Sequence, residues 1–242
     1  MKAIIIDDER LARTELKKLL QDYPEVEVVD EAANAEEGIS KIESLHPDLI
    51  FLDIQTPGKS GFDMLAQLEK TPQVIFTTAY DEFALKAFEV NALDYLLKPI
   101  EPKRLADAVQ KLNLSDIREH RTETNGTNNS MLTESDQVFV KDGERCWFVK
   151  LSEIRLFESV GNYAKVFFGA NKPLILKSLN ALEERLDEKT FFRANRKHIV
   201  NLRMIDKIEP YFNGGLLLEL KGGEKIEVSR RQTVKFKEMM SL

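Results

Sequence analysis

Five short apolar runs, each followed by an amphipathic stretch, fill the chain as far as Leu112 and leave few folds open. The runs Ala3–Asp7, Val26–Val29, Leu49–Asp53, Val74–Thr78 and Tyr95–Leu97 are short and rich in β-branched residues, as strands buried on both faces should be. Behind each lies a helical spacing. Leu11, Leu16, Leu19 and Leu20 fall on one face; Ile39 and Ile42 follow the second run, and Phe62, Leu65 and Leu68 the third. Phe83, Ala84, Ala87 and Phe88 follow the fourth, and Leu105, Val109 and Leu112 the fifth. Successive parallel strands need a crossover, so five such units predict an α/β fold with a doubly wound, five-stranded parallel sheet. Pro24, Pro47, Pro57-Gly58, Pro72 and Pro99 punctuate the elements.

The pattern breaks at Ser115–Asp136, a polar stretch with an Asn-Gly and almost no large apolar residue, which reads as a connection. We expect a first domain over 1–118, a linker over 119–133 and a second domain over 134–242. Beyond the linker the period changes. VFVKDGERCWFVKL reads as a hairpin turned at Asp142-Gly143. IRLFESV, NYAKVFFG, PLILKSL, DKIEPYF, GLLLELKGG and EKIEVS continue as short strands parted by Gly, Asn or Pro. Helical spacing returns at Ser178–Leu186, through Leu179, Leu182 and Leu186, and in a terminal segment, Arg230–Met240. The second domain is therefore expected to be mostly antiparallel β.

Charge divides along the same line. The net charge of −6 conceals −9 over residues 1–118 and +3 over the remainder, with 11 basic against 5 acidic residues in 193–237. An acidic front and a basic back fit a control domain joined to an anion-binding one. No stretch approaches the roughly 18 consecutive apolar residues of a membrane span. The N-terminal apolar run is too short for a signal peptide, so no membrane role and a cytoplasmic location are expected. The single cysteine, Cys146, excludes an intrachain disulfide.

Ligands of an open α/β sheet bind beyond the carboxyl ends of its strands. Asp7 and Asp8 end the first run, Asp53 the third and Thr78 the fourth, and Lys98 follows the fifth. With strands one and three adjacent, as in a flavodoxin-like order, three carboxylates converge. Like charges so close require a cation or raised pKa values, and oxygen-only ligation suits Mg²⁺. Such a site supports phosphoryl transfer onto a carboxylate. Asp53 is the candidate nucleophile, with Mg²⁺ held by Asp8, Asp53 and the backbone carbonyl of Gln55. Lys98 and the Thr78 hydroxyl are placed to hold phosphoryl oxygens. Singly, an Asp-Asp-Glu is an ordinary solvated strand end and a Lys-Pro an ordinary turn. Five such positions at one end of five βα units are not ordinary.

The segments IIIDDE, LIFLDIQTPGKSGFD and VIFTTAYDEFALKAFEVNALDYLLKP resemble the receiver domain of two-component response regulators. The resemblance covers about 1–118. It implies that Asp53 accepts phosphate from a sensor histidine kinase, with Asp7 and Asp8 as the acidic metal-binding pair. It also implies that Thr78 is the switch hydroxyl, Tyr95 the switch aromatic and Lys98 the conserved-type lysine, followed by a cis peptide to Pro99. Thr56 departs from the Met common before the proline. Phosphorylation would then draw in Thr78 and turn Tyr95 inward, changing the surface of the fourth helix, fifth strand and fifth helix, through which two receivers would pair.

The β half offers no catalytic set: His46, His120 and His198 are scattered and no zinc spacing exists. It offers polar and basic side chains instead, at Asn162, Tyr163, Lys165, Arg193, Asn195, Arg196, Lys197, Arg230, Arg231 and Lys235. The segments FESVGNYAKVFF, LNALEERL, FFRANRKHIVNLRMIDKIE and VSRRQTVKFKE resemble the LytTR DNA-binding domain over about 134–242. That family implies loops, not a recognition helix, in successive major grooves of double-stranded DNA. By position Arg196 and Arg231 would read base edges, since an arginine fork can bond two acceptors on guanine. Asn162, Tyr163, Lys165 and Lys197 would support them or grip phosphates. Asn195 and Lys197 depart from the His and Ser usual around that arginine.

The expected protein is thus a phosphoacceptor regulator, not an enzyme beyond slow self-dephosphorylation, that dimerises when phosphorylated and controls transcription. An aspartyl-nucleophile phosphatase would want Asp-x-Asp on its first strand, where Asp7-Asp8 stands. A flavodoxin-like electron carrier would want a Ser/Thr-rich phosphate loop, where DDERLA stands. A β domain that binds another protein instead of DNA is the remaining alternative, and a salt-dependent DNA titration separates the two.

Overall fold

A computed structural model of the chain describes residues 1–79, 92–119, 131–143 and 145–240. The helix expected around Phe83–Phe88, His120 and most of the expected linker lie outside them. The chain divides into two compact units, Met1–Gly126 with Arg145–Phe148, and Thr127–Glu144 with Val149–Leu242.

The first unit runs β1 (Lys2–Ile6), α1 (Arg10–Leu20), β2 (Glu27–Ala32), α2 (Ala35–Leu45), β3 (Leu49–Asp53), α3 (Gly61–Leu65), β4 (Gln73–Thr78), β5 (Asp94–Leu97) and α4 (Pro102–Glu119). The strands form one sheet in the order β2-β1-β3-β4-β5, every neighbouring pair parallel. Burial on both faces explains the unalternating strands. Ala3, Ile5, Leu49, Phe51, Ile75 and Leu96 pack on Leu16 and Leu20 of α1 and Leu105, Val109 and Leu112 of α4. On the other side Phe62 of α3 meets Phe76, ring centres 5.0 Å apart.

Local signals fix the helix ends. The Asn34 side chain caps α2 by accepting from Glu37 N, while Glu37 accepts from Ala33 N, so two otherwise orphaned donors are satisfied. Ser60 does the same for α3 through Asp63 N. One expectation for α1 fails. Leu11 is 77% exposed, and Arg13 takes the inward position beside Leu16 and Leu20. The cause is polar: the Arg13 guanidinium donates to the Asp7 carbonyl at 2.6 Å and reaches Glu31 at 3.4 Å.

The second unit is mostly antiparallel β. A hairpin of β6 (Gln137–Asp142) and β7 (Arg145–Lys150), whose Arg145–Phe148 is grouped with the first unit, precedes β8 (Ile154–Val160), β9 (Tyr163–Phe168), β10 (Leu174–Ile175), α5 (Leu179–Glu183), β11 (Phe191–Asn195) and β12 (His198–Asn201). Then come β13 (Ile205–Tyr211), β14 (Gly215–Leu220), β15 (Lys225–Val228) and α6 (Arg230–Met240). One sheet has the order β10-β9-β8-β12-β11, another β13-β14-β15. Their apolar faces close on α6: Leu156, Phe167, Phe192 and Val200 of the first sheet meet Leu216, Leu218, Ile226 and Val228 of the second around the fully buried Phe236. Helix α5 is shorter than its leucine spacing predicts. Leu132 forms a parallel bridge with Leu186, its N–H bonding the Arg185 carbonyl and its carbonyl the Asp187 N–H, and that pairing draws the chain out of the helix.

Candidate functional sites: an acidic crevice and a basic rim

The strand order of the first unit reverses between β1 and β3, which opens a crevice at their carboxyl ends. Asp7 and Asp8 follow β1, and Asp53 is the last residue of β3. Each can place a carboxylate oxygen within 4.8 Å of the others, Asp7 and Asp53 buried and Asp8 exposed. Lys98, just past β5, completes the group: its Nζ lies 2.6 Å from Asp53 and 2.7 Å from Asp7. The Lys98–Pro99 peptide is cis, as the family resemblance implied. Thr78, at the end of β4, is fully buried, and its carbonyl accepts from Lys98 N at 2.7 Å. Gln55 N donates to Asp53 Oδ1 at 3.0 Å. Tyr95 lies farther back on β5, paired with Phe76, and is buried, at 8% exposure.

Burial holds the Asp53 carboxyl above its ordinary value, with Asp7 adding repulsion, against the opposing pull of Lys98 and the Gln55 N–H. Burial also works against charge on Lys98, but its hydrogen bonds to Asp53 and Asp7 outweigh that, and its pKa is raised. The two shifts are compatible: the ammonium is held by two carboxylates, while Asp53 has only a share of its charge. Three converging carboxylates with one shared lysine make an oxygen donor set short of positive charge, which fits a small hard cation such as Mg²⁺.

Two crevice residues escaped the sequence reading. Arg13 secures the Asp7 and Asp8 peptides from beneath, at 2.6 and 3.4 Å from their carbonyls. A polar residue on an otherwise apolar helix face was the available signal. Gly61 donates to the Ile54 carbonyl at 2.8 Å, and a Cβ there would lie 2.6 Å from the Asp53 carbonyl oxygen. Only glycine lets the loop close so tightly behind Asp53.

In the second unit the polar residues collect on one rim. Asn162 lies in the β8–β9 turn and Tyr163 begins β9, both exposed; Arg196 and Lys197 form the exposed β11–β12 turn, and Arg231 is exposed in the first turn of α6. Three backbone and side-chain ties gather them. Ser159 N donates to the Lys197 carbonyl at 2.8 Å, Ser229 N to the Ala194 carbonyl at 2.9 Å, and Asn195 Nδ2 to the Glu227 carbonyl at 2.7 Å. Asn195 also accepts from Lys197 N at 2.8 Å and contacts His198 Nδ1 at 3.1 Å. That departure from the family pattern is therefore a brace for the turn.

The basic residues are not equivalent. Arg193 is spent on scaffolding, bonding the Asn195 and Arg196 carbonyls and pairing with Glu183. Lys165 pairs with Glu158 across the β8–β9 ladder at 3.4 Å. Glu158 also faces His198 at 3.8 Å, whose pKa burial lowers against that carboxylate's pull. Arg196, Lys197, Arg230 and Arg231 make no ion pair with any described residue. Arg230 and Arg231 stand at the positive end of α6, where cations weaken a helix, so their charge does not serve the fold.

The receiver domain of response regulators matches residues 3–110, and the LytTr DNA-binding domain matches residues 144–241. A response regulatory protein of Vibrio cholerae, itself uncharacterised, is 39% identical over 244 residues, 99% of this chain and 98% of its own. The sensory transduction protein LytT of Enterococcus faecalis is 34% identical over 247 residues, and the transcriptional regulatory protein BtsR of Salmonella typhimurium 36% over 249 residues. Both of those alignments span each chain in full. No helix among the described residues is long and apolar enough to cross a membrane.

Proposed function

Because the chain belongs to the response regulators that join a receiver to a LytTR DNA-binding domain, and so regulates transcription within a two-component system, we propose that Asp53 is its phosphoacceptor. The donor is the phosphohistidine of a sensor kinase. An Asp53 carboxylate oxygen attacks phosphorus, the phosphorus–nitrogen bond breaks, and the electron pair leaves on the imidazole. The observation that carries this reading is the convergence of Asp7, Asp8, Asp53 and Lys98 at one end of the sheet.

The residues divide the work. Burial keeps Asp53 poor in water, which strengthens its interactions with neighbouring charges. Lys98, held between Asp7 and Asp53, can turn one N–H to a phosphoryl oxygen without leaving the crevice. The Thr78 hydroxyl is the second donor and the element that moves, with Tyr95 following it. Asp7, Asp8, Asp53 and the Gln55 carbonyl would hold Mg²⁺, which when bound supplies the positive charge that an incoming phosphoryl group needs. The crevice serves as an acceptor and hydrolyses its own acyl phosphate slowly.

Phosphorylation then pairs two receivers and brings two basic rims onto double-stranded DNA. Arg196 and Arg231 read base edges, while Asn162, Tyr163 and Lys197 flank them and Lys165 reaches phosphate by exchanging its bond to Glu158. The domains extend over 1–118 and 134–242, joined by 119–133, and a kinase donor with a DNA target places the work in the cytoplasm. The decisive experiment is labelling with a small-molecule phosphodonor in Mg²⁺. The parent becomes labelled, and Asp53→Asn shows no label while keeping its circular dichroism and melting transition. Persistent label on that variant would place the acceptor elsewhere.

A further inference from the structure

Phe212 is 78% exposed, the most exposed large apolar side chain among the described residues. Single exposed apolar residues are common on proteins, and Leu11 and Leu176 are nearly as exposed. Phe212 differs from them in its setting. It opens the three-residue turn Phe212–Gly214 that joins β13 to β14. The register Tyr211↔Gly215 and Leu216↔Val228 puts this hairpin tip beside the end of β15. The approach is close: a Cβ on Gly215 would lie 3.2 Å from the Phe212 carbonyl and 3.6 Å from the Val228 carbonyl. Ser229, tied to Ala194 under the β11–β12 turn, comes next, and then Arg230 and Arg231. The tip therefore stands on the rim that carries the DNA-reading arginines, one strand away from Arg231.

The tip is also built to present a ring. The Tyr211 ring meets that of Phe212 edge-on, centres 4.9 Å apart and planes at 71°, an arrangement that steadies an exposed aromatic. From Pro210 to Leu218 the sequence PYFNGGLLL holds no charged residue. This part of the rim has no cation to pair with phosphates, and what it presents is mainly apolar. The apolar feature of a major groove is the thymine methyl, which phenylalanine can cover.

We propose that Phe212 is a further specificity-determining residue, its ring packing on a thymine methyl beside the base pair read by Arg231. The inference rests on the DNA-binding reading above and adds a chemistry that the basic residues lack. Because the side chain is exposed, its removal leaves the fold intact and the test is clean. Duplexes are selected from a random-sequence library with the full-length parent, then each thymidine is replaced in turn by deoxyuridine. One buried methyl corresponds to about a fourfold change in affinity, so the parent should lose about that much at a position near the Arg231 contact. Phe212→Ala should bind the thymine duplex roughly tenfold more weakly with the same salt slope, since no phosphate contact is lost. It should also be indifferent to uracil at that position, and Phe212→Leu should recover most of the affinity. Parent-like binding by Phe212→Ala would overturn the inference, as would weaker binding with an unchanged uracil scan; both would leave DNA binding standing. Failure of the parent to select any sequence would overturn the DNA reading and this inference together.

Discussion

The acidic crevice and the basic rim solve opposite problems with charge. In the crevice the carboxylates of Asp7 and Asp53 are buried, at 3% and 5% exposure, and share one ammonium held between them. On the rim Arg196, Lys197 and Arg231 are exposed and unpaired among the described residues. Burial strengthens every interaction a charge makes, and solvent screens it. A group that must hold a phosphoryl oxygen gains from being fixed and dry. A group that must meet a base edge has to remain available, and only the backbone beneath it is braced, here by Asn195 and the Ser159 and Ser229 amides. Substitutions in the crevice should therefore act sharply, and those on the rim by degrees.

The largest effect after loss of Asp53 itself should come from Gly61→Ala. The added methyl meets the Asp53 carbonyl at 2.6 Å, Leu52 Cγ at 3.1 Å and Ile54 Cα at 3.3 Å. Two of these are backbone atoms that cannot swing aside, so the loop behind Asp53 must shift. Overpacking of this kind costs about 1–3 kcal/mol, readable in urea denaturation, and the phosphorylation rate should fall with it. A stable, fully labelled Gly61→Ala protein would show that the crevice tolerates adjustment as the rim does.

On the rim the expected effects fall on binding, not on the fold, and they are separable. Arg231→Ala should cost roughly 1–3 kcal/mol of binding and relax selectivity at one base position, whereas Lys197→Ala should weaken all sequences alike and reduce the salt slope by about one. Fluorescence anisotropy over a salt series distinguishes them. If the two variants respond in the same way, the division between base reading and phosphate grip is wrong. Lys165→Ala should do less than either, because Glu158 already engages that ammonium at 3.4 Å.

What could be read from the sequence follows the same division. The crevice residues sit at strand ends, and strands buried on both faces announce themselves by composition; Asp53 ends β3 as LIFLD predicted. Arg13 and Gly61 stayed hidden because their roles depend on approach in space: one reaches from α1 under a turn, the other closes a loop against a carbonyl. The rim was legible only as a list of polar residues. Which of them are free depends on cross-strand neighbours, so Arg193 and Lys165 looked like Arg196 until Glu183 and Glu158 were placed beside them. Helix α5 shows the same limit, since the bridge from Leu132 that ends it is remote in sequence.

The smallest effect tests whether the crevice is short of positive charge. Asp53 has an ordinary value of 3.8 that burial and Asp7 raise in the folded protein. Above 3.8 and up to the raised value, the folded state therefore binds more protons at this residue than the unfolded state does. Stability rises with pH only where the unfolded state binds more, so Asp53 contributes a loss of stability that grows as pH rises through that window and is absent below it. Asp53→Asn removes this contribution. In a chelator, the melting temperature of the variant relative to the parent should accordingly climb as pH is raised above about 4 through that window, then level off. Saturating Mg²⁺ should erase most of the difference, because a bound cation stabilises the folded parent through the carboxylate that the variant lacks. A difference that stays flat with pH in chelator would mean that Lys98 alone balances the carboxylates, and the electrostatic case for a metal between them would fail.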